Sequence, residues 1–131
     1  MDRMVVVNLP THDLDRARRF WGGLGFGVDA RSSDARTLAV RLAPGVVLVV
    51  LPRPCFAAHA PHPVPDARGA TQVMMCLAAG SRHEVNTLAA LALALGGTEP
   101  RPAFDDQGTY ARTVADPDGH VWELLHTDGT C

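Results

Sequence analysis

The sequence predicts an α+β fold made of two copies of a βαβββ module. Three observations lead there. Val5-Val-Val-Asn-Leu followed by a helical pattern is repeated as Val73-Met-Met-Cys-Leu followed by another. Short strand-like runs follow each helix, and their last turns correspond, Pro44-Gly45 in the first copy and Asp118-Gly119 in the second. The spacing gives module 1 over residues 1–51, a proline-rich linker over 52–70 and module 2 over 71–127.

In module 1 the opening strand feeds a helix over 13–22. Leu14, Ala17, Trp21 and Leu24 recur three or four apart, Asp13 is placed to cap the start, and Gly22-Gly23 is read as the stop. Strands are expected over 25–30, 37–42 and 46–51. The linker is expected to be a flexible lid with Phe56 at its apolar tip. In module 2 the helix covers 81–95 and opens with the capping box Ser81-Arg-His-Glu84. It carries Val85, Leu88, Ala89, Ala92 and Leu95, stops at Gly96-Gly97, and runs about one turn longer than the first. Strands follow over 98–103, 110–115 and 120–125.

Composition excludes several function classes. At 131 residues the chain makes one domain, and 47% hydrophobic with 20% charged residues is ordinary for a globular protein. A net charge of −2 gives no electrostatic case for nucleic acid or an anionic membrane. The apolar runs are shorter than a membrane span, and the start of the chain lacks a cationic, apolar leader, so a cytoplasmic protein is expected. Cys55, Cys76 and Cys131 show no CxxC spacing, which makes reduced thiols the default. All twelve basic residues are Arg and Ile is absent, a codon bias that points to a GC-rich bacterium.

The chemistry centres on Asp116-Pro-Asp-Gly-His-Val-Trp-Glu-Leu. Its turn delivers a strand on which Val121, Glu123 and Leu125 share one face. A carboxylate among apolar neighbours needs a cation, a metal or a hydrogen-bond donor. One reading is a buried, satisfied acid paired with Arg112 or the Tyr110 hydroxyl; the other is ligand contact. His120 and His126 have the opposite parity and face away. Trp122, opposite Glu123, is expected to pack on a helix, and Trp21 to be core. Arg16, Arg18 and Arg19 read as a solvated helix face. Cys55-x3-His59-x2-His62 holds soft ligands but lies in the linker without a fourth donor. Gly23-Leu-Gly-Phe-Gly27 follows a helix, where a dinucleotide fingerprint precedes one, and reads as a helix stop.

Paired βαβββ modules, Asp13-Leu-Asp-Arg leading to Phe20-Trp21-x-x-Leu24-Gly25-Phe26, and the ending Asp116-Pro-Asp-Gly-x-x-x-Glu-Leu together resemble the vicinal oxygen chelate superfamily. Glyoxalase I, extradiol dioxygenases and the fosfomycin and bleomycin resistance proteins belong to it. The resemblance implies curled mixed sheets around a cavity, a homodimer, and four metal-ligand positions on the first and last strands of the modules. Carried over along the repeat, these fall on Val6, Val49, Met74 and Glu123, of which only Glu123 is a ligand of the family's type. Asn8 and Gln72 are the nearest polar residues on the same face. The cavity is therefore expected to be lined by Val6, Asn8, Val49, Gln72, Met74 and Glu123. No cofactor is expected, and the leading expectation is metal-independent binding or sequestration of a small molecule. The alternative is a glyoxalase I type lyase or isomerase using nickel, zinc, manganese or iron, with Glu123 as catalytic base or sole retained ligand.

Overall fold

Each copy of the repeat folds as a strand, a helix and three further strands in a computed structural model that describes residues 3–29 and 33–128. The chain divides into two compact units, Met1–Pro65 and Asp66–Cys131. Residue 30, the expected end of the second strand, and Cys131 lie outside the described residues.

In the first unit β1 (Val5–Thr11), β2 (Gly27–Val28), β3 (Leu38–Ala43) and β4 (Val46–Pro52) form a mixed sheet in the order β1-β4-β3-β2. β1 runs parallel to β4, with Val6 beside Val47 and Asn8 beside Val49; β3 is antiparallel to β4 and to β2. Helix α1 (Leu14–Gly23) is capped as expected, Asp13 accepting a hydrogen bond from the Arg16 N–H at 3.0 Å. Its Ala17, Phe20 and Trp21, three and four apart, are buried together with Leu38, Val40, Leu48 and Val50. Full burial of each large side chain contributes roughly 1.5–3 kcal/mol. Phe20 and Trp21 meet edge to face, ring centroids 5.2 Å apart.

The helix stop differs from the expectation: Gly22 and Gly23 are still helical, and Gly25 takes the left-handed φ of +91°. Its N–H returns to the Gly22 carbonyl at 3.2 Å. Arg18 is also more than a solvated charge, because its guanidinium donates to the carbonyls of Asp34 and Thr37 and ties α1 to the approach to β3. The linker departs most. Its first part is not a flexible loop but a helix, α2 (Arg53–His59), which contacts β1 and β4.

In the second unit β5 (Met74–Ala78), β6 (Phe104–Asp106), β7 (Thr109–Ala115) and β8 (Val121–Thr127) repeat the plan in the order β5-β8-β7-β6, with β5 parallel to β8. Helix α3 (Arg82–Ala94) packs on β7 and β8 and buries Val85, Ala89 and Ala92. Ser81 accepts from the Glu84 N–H at 3.1 Å, while the Glu84 carboxylate accepts from the Gly80 N–H at 2.8 Å, one residue earlier than in a standard box. At the far end the Gly97 N–H bonds the Ala92 carbonyl and the Gly96 N–H bonds that of Leu93, a Schellman pair with Gly96 at φ +100°. The expected strand over 98–103 is not formed. Thr98 alone bridges to Ala115, since Pro100 and Pro102 have no N–H to give a ladder, and pairing resumes at Phe104. β6 then turns into β7 through Gln107 and Gly108, both at positive φ. Among the described residues no helix is long and apolar enough to cross a membrane.

Candidate functional site

The β7–β8 turn is held by the side chain at its start. Asp116 is 6% exposed; its Oδ1 accepts from the N–H groups of Asp118 and His120, each at 3.0 Å, and its Oδ2 accepts from the Trp122 indole at 3.1 Å. Burial pushes this carboxyl above the usual Asp range, against the opposing pull of His120 and of these donors. Trp122 and Leu124 are thereby fixed on the α3 side of β8, and strand alternation turns Val121, Glu123 and Leu125 to the other side.

Glu123 is half-buried there. Its register partners are Cys76 on β5 and Thr113 on β7, and the Cys76 thiol donates to Glu123 Oε2 at 3.3 Å. Burial, then this hydrogen bond and the negative charge behind it, pushes the Cys76 thiol up, which keeps it protonated. The expected pairing of Glu123 with Arg112 or Tyr110 does not occur. Both of those side chains lie on the α3 face, one residue out of phase with Glu123. Arg112 makes two bonds to Glu99, at 2.8 and 2.9 Å, and a third to Asn86, and the Tyr110 hydroxyl donates to Asn86 at 2.6 Å. His126 is satisfied on that same face, its Nδ1 3.0 Å from the Ala79 carbonyl.

Of the remaining expected residues, Met74 is 56% exposed and pairs with Val121, which puts it on the Glu123 face. Gln72 is exposed and precedes β5 by two residues, so it is not part of the sheet. In the first unit Val6, Asn8 and Val49 share one face of β1 and β4. Asn8 opens onto a recess of about 600 Å³ lined also by Leu51, Phe56, His59 and Ala60. Phe56 is therefore part of a helical wall and not the tip of a loop.

Cys76 is the residue that sequence reasoning missed, and His59, weighed there only as a soft ligand in the linker, proves to line the recess. The repeat held the signal for Cys76: it stands five residues before the cap Ser81, as Asn8 stands five before the cap Asp13, so the step that led to Asn8 leads also to Cys76. The recess position of His59 was out of reach because nothing in the linker's proline content marks α2.

Whether a metal suits these positions is decided by the donors. Val6 and Val49 have none, Met74 offers a thioether and Glu123 one carboxylate, fewer than the three or four N, O or S donors that a divalent transition metal takes from protein. Among the described residues no three His, Cys, Asp or Glu side chains cluster at a spacing that could hold an ion. The residues present do not fit the metal of the superfamily.

Two βαβββ units, each with its first strand parallel to its last and the turn-borne Glu123 on the strand that closes the second, define a protein of the vicinal oxygen chelate superfamily. A family model described as a glyoxalase-like domain matches residues 4–125, and the chain belongs to that family. A glyoxalase-related enzyme from Fulvimarina pelagi is 25% identical with a TM-score of 0.81, over 97% of this chain and 89% of that one. A glyoxalase/bleomycin resistance protein/dioxygenase family enzyme from Burkholderia phytofirmans shares the fold at 14% identity and a TM-score of 0.78, over 96% and 99%. A bleomycin resistance determinant encoded on the transposon Tn5 does so at 20% identity and a TM-score of 0.62, over 97% and 99%. No curated protein matches the chain.

Proposed function

We propose that this chain is a small-molecule binding protein of the glyoxalase/bleomycin-resistance-like type, and that it holds its ligand without a metal. The observation that carries this reading is the donor set: of the four positions that the superfamily uses for a metal, only Glu123 offers a ligand of that type. The recess beside Asn8, about 600 Å³, supports it, since small-molecule sites have volumes of that order and mostly apolar walls with a few polar groups. Asn8, which opens onto this recess in the first unit, is the polar group assigned to ligand contact. A thermal-shift screen of small aromatic and amphipathic compounds on chelator-treated protein tests the reading. A true ligand stabilises by about 2.7 kcal/mol at one hundred times its dissociation constant, equally with and without chelator. Stabilisation that vanishes with chelator, or a screen without a ligand, counts against it.

A second reading is a glyoxalase-type lyase or isomerase, favoured by the placing of the Glu123 carboxylate within reach of a proton donor, the Cys76 thiol. It predicts turnover of methylglyoxal with a thiol, lost in Glu123→Gln. Absence of turnover after reconstitution with nickel, zinc, manganese or iron(II) excludes it.

A further inference from the structure

We propose that α2 is the selective wall of the binding recess, and that the recess takes an aromatic compound carrying an anionic or neutral oxygen group and rejects aromatic cations. This rests on the ligand-binding reading above and adds to it the place and the class of the ligand.

Phe56 and His59 are three residues apart on one face of α2, Ala60 caps the end of the helix directly after them, and together they line the recess opposite Asn8 and Leu51. The wall is built into the fold. A helix of seven residues does not persist alone and takes its order from its packing on β1 and β4. Pro52 and Pro54 fix its first turn. Arg53 donates to the carbonyls of Val64 at 3.1 Å and Pro65 at 3.3 Å, which ties the chain leaving the helix back to its start.

The lining sets the chemistry. Phe56 offers a ring for stacking, and Leu51 and Ala60 add apolar surface. The Asn8 amide and the His59 imidazole can both donate to an oxygen of the ligand. Among the described residues no acidic side chain lines the recess, so a cation entering it would lose its hydration without a counter-charge.

The test uses two fluorescent probes on the full chain, the aromatic sulfonate 8-anilinonaphthalene-1-sulfonate and the aromatic cation thioflavin T. The expected result is saturable binding of one sulfonate per chain, with the cation at least about tenfold weaker. Phe56→Ala and His59→Ala should each weaken the sulfonate roughly tenfold, while Leu91→Ser, an exposed change on α3, leaves it unaltered. Ala60→Trp, which fills the recess and removes no side-chain contact larger than a methyl, should abolish binding in a protein whose circular dichroism is unchanged. Saturable binding that is indifferent to the Phe56, His59 and Ala60 variants overturns the placement at α2 but leaves the ligand-binding reading intact. Equal affinity for the cation overturns the proposed selectivity. Absence of saturable binding of either probe overturns this inference, while the wider screen decides the other.

Discussion

The Trp122 indole N–H donates to Asp116 Oδ2 at 3.1 Å, and both residues are buried, so the turn that begins β8 and the side chain that anchors β8 to α3 are held by one carboxyl. Asp116→Ala removes the acceptor shared by that indole and the backbone N–H groups of Asp118 and His120. Each buried unpaired donor costs about 1–3 kcal/mol, partly relieved by water, and a net loss of roughly 2–4 kcal/mol is expected in urea denaturation followed by Trp fluorescence. The pH dependence has a definite sign. The folded value is raised above the unfolded one, so the folded state binds the extra proton, and the contribution is complete below the unfolded value and declines as pH rises through the folded one. Wild type should therefore gain on Asp116→Asn, which does not titrate, as pH falls through the carboxylate range.

Three glycines separate space from backbone strain. A Cβ at Gly119 would lie 2.6 Å from the Arg68 backbone nitrogen at a φ of +92°, and one at Gly97 would lie 2.7 Å from the Ala115 carbonyl oxygen and 2.8 Å from that of Ala92. Neither neighbour can move without breaking a turn or the Schellman pair, so Gly119→Ala and Gly97→Ala should each cost more than about 2 kcal/mol. Gly22, inside α1 with open space around it, should behave oppositely: Gly22→Ala is expected to stabilise by roughly 0.5–1 kcal/mol. Melting temperatures of the three variants check the ordering.

The repeat made most of the fold legible, because helix periodicity, caps and turn glycines are local signals. Asp13, Ser81 and Gly96 perform their expected tasks. What failed depended on context. α2 has few residues, with Pro54 inside it and Pro52 at its cap, and only its seat on β1 and β4 makes it helical. Residues 98–103 read as a strand by side-chain type, but Pro100 and Pro102 lack the donors that a ladder needs. At the site, strand parity correctly separated Glu123 from Trp122 and His126, yet it did not reveal which side chain would face Glu123. That answer needed the register of β5 on β8, which no local pattern encodes.

The Glu99–Arg112 pair should hold the segment after α3 to β7. Both side chains are about one-fifth exposed and joined by two hydrogen bonds, so Glu99→Gln is expected to cost about 1 kcal/mol at neutral pH. The hydrogen bonds from Arg112 hold the Glu99 carboxyl below its usual range. Its contribution is thus present above the unfolded value and lost as pH falls through the folded one. Urea midpoints of wild type and Glu99→Gln should converge toward pH 3; a gap that stays constant with pH would show that shape, not charge, holds the pair.

The Cys76 thiol donates to Glu123, and its reactivity should report on that carboxylate. Part of what raises the Cys76 value is burial, which a substitution on β8 leaves in place; the rest is the hydrogen bond to Glu123 and its charge. Glu123→Gln removes the charge and weakens the bond, so more of the thiol ionises at a given pH. Cys76 is exposed enough for a disulfide reagent to reach it. In a background with Cys55 and Cys131 replaced by Ser, its rate with Ellman's reagent near pH 7.5 should rise severalfold in Glu123→Gln, and its pH–rate profile should move to lower pH. An unchanged profile would mean that the thiol and the carboxylate are not coupled in solution. Glu123 would then be free of Cys76, and the second functional reading would lose the observation that favours it.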